Sequence, residues 1–414
     1  METSSEGPFL GVRVTCVGVA YAGPEVAKWM AALGAESIRI ESSSRMEFTR
    51  SITLPGISDI NASYAFNDVN RGLKSLGLDI DNPRSRPAVE SLLRKTDVFI
   101  ENVGRRTIAR YNLDYETVAA LRPDIIYVSL PGFGNSGPYS DFRTFGPNLP
   151  FHSGLASIWA LPGEDYPVGT QSPLPDHIVG KYGLIAIAAA LASRKRNGRG
   201  QFLEVAQIEM LAALVGQHYM SPASRSAQPL GNRDDRFLQG AYPCKGTDRW
   251  VVIGIRSDEE WRLFCSIVGK RDLPADQRFV TLADCLANQD AVDEHIQTWT
   301  SERSAEDAVS CLLPAGIACA MVSDARDYAA DARVVRDGSL VEIDHPVVGR
   351  RQYPALPLRS SGLGIRQDLR APLLGEHTRE VCRDVLAMTD REVEELLQEG
   401  VLEACTVTPT GGSL

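Results

Sequence analysis

Apolar positions recur along the first 130 residues in short β-rich runs separated by stretches with helical spacing, the alternation of a parallel sheet wrapped by helices. Val12–Val19 is predicted as a strand. Pro24 then opens a helix over Glu25–Leu33 that Gly34 ends, with proline just inside the start and glycine just past the stop. Ser37–Glu41 is the next strand, and Pro87–Arg94 carries Ala88, Val89, Leu92 and Leu93 on one helical face. Asp97–Glu101 is a buried strand, Tyr115–Leu121 a short helix and Asp124–Leu130 a further strand. Periodicity then fades between Pro131 and Pro175, a stretch dense in glycine, proline, serine and aromatic residues. Long irregular segments inside a compact domain tend to carry function.

Helical spacing returns in an apolar helix over Ile178–Ser193, closed by the basic run Arg194–Gly200, which reads as a solvated helix end complementing the dipole. Ser221–Arg236, polar and proline-bearing, reads as a linker. A second unit, about Gly240–Arg336, carries a strand at Trp250–Ile255 and a helix at Asp258–Val268. Val341–Pro357 reads as a returning strand pair and Asp390–Glu399 as an amphipathic helix. The expected boundaries are 1–225 for the first part of a large α/β domain, 226–340 for linker and small domain, and 341–414 for the return. At 414 residues, two domains are the default.

Composition narrows the partners. With 43% hydrophobic and 23% charged residues the chain is in the globular range, and its apolar run Leu184–Ala192 is far shorter than the roughly 20 residues a membrane span requires. A net charge of −10 argues against nucleic acid, because phosphate-backbone binding needs a broad basic surface. The residues Met1–Gly7 lack the basic and apolar regions of a signal peptide, and the eight cysteines form no C-x-x-C pair. A cytoplasmic, metal-free protein without membrane attachment is the expectation.

Two constellations stand out. Gly132-Phe-Gly134-Asn-Ser-Gly137 spells the dinucleotide fingerprint, but Pro138 follows where a phosphate-binding helix would have to begin, so a glycine turn over an active-site mouth fits better. Asp176 stands between Pro175 and the apolar helix. It reads equally as an N-cap and as a carboxylate nucleophile, since a helix N-terminus holds a carboxylate ionised and fixed in direction. Glu376-His377 reads as a structural turn, and the other histidines show neither metal-ligand spacing nor a G-x-S-x-G partner.

Several stretches in order resemble the class III CoA-transferase family: Ala22-Gly-Pro24, Leu33–Glu41, Asn70–Asp79, Asp97–Asn102, Ser129–Pro138, Asp176 with Gly180, Arg194–Gln201 and Ala371–Thr378. The resemblance implies a Rossmann-like α/β large domain built from both chain ends, an inserted smaller α+β domain, and two subunits interlocked as rings, as a homodimer or with a similar partner subunit. It implies a CoA thioester as substrate, with no permanently bound cofactor, and a carboxylic acid as the second substrate. The aspartate matching Asp176 would attack the donor thioester, giving an anhydride and then an aspartyl-CoA thioester.

Carried over one by one, Tyr21 and Ala22 match contacts to the CoA adenine and ribose. Asn102 and Arg110 match further CoA contacts, Lys74 matches a basic motif position, and Gly132 and Gly134 belong to the closing loop. Two positions depart from the pattern: Ser42 and Pro131 stand where formyl-CoA transferases are basic. CoA grip would then be rebuilt from Arg45, Arg50, Arg105 or Arg106. Phe145–Gly154 and Pro162–Gly169 look like members that transfer CoA from succinyl-CoA to aryl-substituted or branched succinates such as benzylsuccinate. The alternatives are a non-catalytic partner subunit and a 2-methylacyl-CoA racemase. The latter is disfavoured because Phe145-Gly-Pro147 stands in place of its histidine element and His152 is the nearest histidine.

Overall fold

Runs such as Val14–Val17, Ile38–Ile40 and Val98–Ile100 are buried on both faces, which is what the interior of a parallel sheet demands of its strands. In the computed structural model, which describes residues 7–159, 172–220, 233–234 and 236–405, these runs form a seven-stranded sheet. Strands β1 (Arg13–Val17), β2 (Glu36–Glu41), β3 (Lys74–Leu78), β4 (Val98–Glu101), β5 (Ile126–Ser129) and β6 (Gln201–Glu204) are parallel, in the order β3-β2-β1-β4-β5-β6. The short C-terminal strand Leu402–Glu403 pairs antiparallel with β3.

Helices cover both faces. On one, α1 (Ala22–Ala32) and α5 (Leu174–Asn197) pack over Val14, Cys16, Ile100 and Val128. On the other, α2 (Arg86–Arg94) and α4 (Tyr115–Leu121) pack over Ile38, Leu76, Phe99 and Tyr127, while α3 (Arg105–Arg110) follows β4. The strand order reverses between β1 and β4. In an open α/β sheet the crevice beyond the carboxyl ends at such a switch point is where ligands bind.

Several elements differ from the sequence expectation. β1 ends at Val17 because the chain turns at Gly18–Tyr21, with Ala20 in the left-handed region at φ 56°. α1 starts at Ala22, so Pro24 is its third residue; the first turn has no intrahelical N–H bond to lose. α5 starts at Leu174 rather than Ile178, with Pro173 at the N-cap position, so Asp176 lies within the first turn and is not the cap. Arg194 is not a solvated end: it donates to Asp97 Oδ1 at 3.0 Å and to the Asp124 carbonyl at 3.2 Å, tying α5 to the starts of β4 and β5. β3 and β6 were not expected as strands. Pro162–Gly169, and 221–236 apart from 233–234 and 236, lie outside the described residues.

By length and composition alone α5 is long and apolar enough to cross a membrane. Here Val179, Gly180, Gly183, Ile187 and Ala190 are buried. Gly180 and Gly183 let α1 approach: a Cβ on Gly180 would stand 2.5 Å from Glu25 Cγ, and one on Gly183 3.1 Å from Val26 Cγ2.

The chain divides into two compact units, one within 1–155, 169–216 and 336–414, the other within 156–168 and 217–335. The second holds an antiparallel sheet of β7 (Leu238–Pro243), β8 (Trp250–Ile255) and β9 (Ala318–Met321) around a core that includes Trp261, Phe264, Phe279 and Trp299. The hairpin β10 (Leu340–His345) and β11 (Gly349–Pro354) belongs to the first unit.

Candidate active site

The turn after β1 is shaped by Asn102, which follows β4. Its side chain accepts from the Val19 N–H at 2.9 Å and donates to the Val19 carbonyl at 2.8 Å, holding the backbone of one residue at both its polar groups. Gly18 and Gly23 make room for it, since a Cβ on Gly23 would stand 2.8 Å from Asn102 Oδ1. The strained Ala20 is held by donating its N–H to buried Glu47 at 2.8 Å. Left-handed backbone costs a non-glycine residue on the order of 1 kcal/mol, and such strain collects at functional sites.

Asp176 faces this turn. Its carboxylate is 5% exposed and lines a cavity of about 300 Å³ with Tyr21, Asn102, Gly132, Phe48, Leu130, Thr144, Phe145, Gly146 and Gln207 among the walls. Gly146 is required by space: a Cβ there would stand 2.1 Å from Asp176 Oδ2. Gly132 lets the segment that carries Gly146 close down, because a Cβ on it would stand 2.0 Å from Thr144 Oγ1. Gln207 Nε2 reaches Asp176 Oδ1 only at 3.5 Å, the outer edge of hydrogen bonding, while its Oε1 is buried without a hydrogen-bond partner.

Burial pushes the Asp176 carboxyl up to about 6, against the opposing pull of His177, backbone N–H groups including that of Ala22, and Gln207. At pH 7 the group is still ionised about ten to one, and its carboxylate is a stronger base than a solvated one. Two helix starts, α1 and α5, support that charge.

Behind Asp176, Glu25 of α1 is 3% exposed and ion-paired with Lys28 at 2.7 Å; it accepts from Trp29 Nε1 at 3.0 Å and lies 3.5 Å from His177 Nδ1. Burial raises this carboxyl, but His177 and Lys28 outweigh it and hold Glu25 well below the usual carboxylate range.

Of the residues singled out from sequence, Tyr21, Asn102, Gly132 and Asp176 meet in one cavity, and Ala22 is fully buried behind it. Gly134 does not line it; it sits at φ 91° beside Glu204. Arg105 lines a second cavity with Glu101 and Tyr127 and pairs with Asp141 at 3.3 Å, as Arg106 does at 2.6 Å. Arg110 lines a third with Tyr111 and lies 3.6 Å from Asp81, which Arg45 approaches to 3.7 Å.

Two expectations fail. Lys74 opens β3 at the amino end of the parallel strands, opposite the cavity, and both its ion pairs, to Glu36 and Glu380, are 2.7 Å long. Arg50 is fully buried and donates to both oxygens of Glu41, so it reaches no ligand. His152 packs against the Phe133 ring at 5.2 Å and does not line the cavity. Sequence reasoning missed the parts played by Gln207, Phe48 and Glu47; Gly146 lay within the Phe145-Gly-Pro147 element it singled out, but its packing against Asp176 was not foreseen.

A family model described as CoA-transferase family III matches residues 9–378. A probable CoA-transferase of Mycobacterium tuberculosis is 29% identical over 97% of this chain, which spans about half (51%) of that relative's length. The succinate–glutarate CoA-transferase of Agrobacterium fabrum is 28% identical, with 91% of this chain and 96% of the relative covered. A crystal structure of a CAIB/BAIF family protein from Brucella suis superposes with TM-score 0.83 at 25% identity, covering 92% of this chain and all of that one. With the α/β sheet, the switch-point cavity and a match over most of its length, the chain belongs to CoA-transferase family III.

Proposed function

We propose that the protein is an enzyme that moves CoA from an acyl-CoA to a carboxylic acid, with Asp176 as nucleophile. The observation that carries this is a single ionisable carboxylate, nearly buried, in a cavity otherwise lined by uncharged groups among the described residues. Asp176 attacks the thioester carbonyl and expels CoA thiolate, leaving a mixed anhydride. The thiolate attacks the aspartyl carbonyl, releasing the donor carboxylate and forming an aspartyl-CoA thioester. The acceptor carboxylate displaces the thiolate to make a second anhydride. The thiolate then attacks the acceptor carbonyl, which frees Asp176 and the new acyl-CoA. No proton is gained or lost over the cycle, so the reaction needs no general base. Exclusion of water by Thr144–Pro147 protects the anhydrides.

CoA is proposed to run from this cavity along the carboxyl ends of the strands, contacting Tyr21, Asn102 and Gly132 but not Ala22, which is sealed behind the wall, with Arg105 or Arg110 at its phosphates. The resemblance to members that use succinyl-CoA and the succinate–glutarate name of the Agrobacterium relative make succinyl-CoA one donor to compare with a monocarboxylic acyl-CoA. A subunit interlocked with a second copy or a similar chain, in the cytoplasm, completes the proposal; the buried thiols of Cys16, Cys265 and Cys285 suit a reducing compartment. A racemase would need a second proton-handling group opposite Asp176, and among the described residues the cavity walls hold no histidine, lysine or second carboxylate for that role. Asp176→Asn should lower CoA exchange on the order of 10³-fold or more while CoA still binds. Exchange within a few-fold of wild type would refute the proposal.

A further inference from the structure

The walls around Asp176 also bear on which acids enter. Tyr21, Phe48, Leu130, Phe145, Pro147 and Pro173 are apolar or aromatic, and among the described residues no lysine, arginine or histidine lines the cavity. Phe48 and Phe145 meet edge to face at 5.8 Å, yet they remain 42% and 62% exposed. Large aromatic rings left open beside a cavity offer a surface for an apolar ligand.

Burial and the neighbouring Tyr64, Asp68, Glu47 and Asp176 raise the Tyr21 hydroxyl. Lys181 lies 3.8 Å from Glu25, and Arg50 is sealed onto Glu41, so neither reaches the cavity lining. A second carboxylate on the acyl chain would therefore lose water against aromatic walls without gaining a counter-ion, which is strongly unfavourable.

We infer that this cavity selects monocarboxylic acids with an apolar, preferably aromatic, tail over dicarboxylic acids. The inference rests on the transferase reading and sharpens it. Of a benzylsuccinate-type acceptor, the ring is accommodated and the second carboxylate is not. Glutarate, named for the Agrobacterium relative, is expected to be a poor acceptor here.

The test uses the full-length protein with propanoyl-CoA as donor and 3-phenylpropanoate, butyrate, benzylsuccinate and glutarate as acceptors. The expected kcat/KM for 3-phenylpropanoate exceeds that for glutarate by at least ~10-fold, a factor that one or two apolar contacts supply. Phe145→Ala should shrink that ratio. Phe145→Arg, at a site exposed enough to tolerate the change, should raise glutarate turnover and narrow the ratio further. Glutarate matching or beating 3-phenylpropanoate, or a ratio unmoved in both variants, overturns the inference. Trapping the donor on Asp176 in the same reactions separates the two proposals. A labelled Asp176 with the reverse ranking leaves the transferase standing and sinks the selectivity, whereas an unlabelled Asp176 in an active enzyme sinks both.

Discussion

Gly146→Ala isolates the geometry of the nucleophile. The glycine has no left-handed φ, so alanine fits its backbone, and the whole effect comes from one methyl group. That methyl would stand 2.1 Å from Asp176 Oδ2 and 3.0 Å from Pro173 Cα, whereas ordinary contact begins near 3.4 Å. Either the carboxylate or the loop must give by about 1 Å, a misplacement worth on the order of 10² in rate when it falls on a reacting atom. Overpacking would cost about 1–3 kcal/mol of stability, too little to unfold a chain of this size. Single-turnover transfer should therefore slow ~100-fold while the far-ultraviolet spectrum is unchanged and the denaturation midpoint falls modestly. A transfer rate within threefold of wild type would show that Asp176 does not need the position seen here.

Further outcomes follow from the same packing and charges. Because burial lifts the Asp176 carboxyl from 3.8 to about 6, the folded state holds that proton more tightly than the unfolded chain. Stability is therefore lost as pH rises from about 4 to above 6. Asp176→Asn should be more stable than wild type at pH 8, by up to ~3 kcal/mol, with the gain vanishing below about pH 4. A pH-independent difference in denaturation midpoint would contradict this. Glu25 has the opposite sign: its carboxyl is lowered from 4.5, so its contribution is present above that pH and lost as acid protonates it. Glu25→Gln leaves Lys28 buried and unpaired, and should cost about 3–5 kcal/mol at pH 7, measured by urea unfolding. Gly180→Ala would normally gain helix propensity. Here its methyl would stand 2.5 Å from Glu25 Cγ, so a net loss of about 1–3 kcal/mol is expected, and a gain would mean that α1 and α5 are not packed this closely.

The sheet was legible where both faces of a strand are buried, as in β1, β4 and β5, because continuous apolar runs then mark it. β3 and β6 escaped for physical reasons. β3 begins with Lys74 and holds Gly77, against whose position the backbone of Glu403 packs; a Cβ there would stand 2.2 Å from the Glu403 carbonyl oxygen. β6 is an edge strand of alternating exposure with only four residues, between a basic helix end and Val205. Asp176 was legible from its place before an apolar helix, but its raised basicity was not, since burial depends on Gly146 and the Val19–Tyr21 turn folding over it. The family pattern pointed to Lys74 on spelling alone. Strand direction puts it at the wrong edge, with two carboxylates already satisfying it.

The central claim is that the Asp176 carboxylate becomes covalently acylated and then thioesterified. The full-length protein incubated with an acyl-CoA, quenched with hydroxylamine and digested should yield a hydroxamate on residue 176, read by mass spectrometry. That label should disappear when an excess of acceptor acid is added before the quench. An active enzyme whose residue 176 stays unmodified, or which carries the label on another carboxylate, would contradict the account.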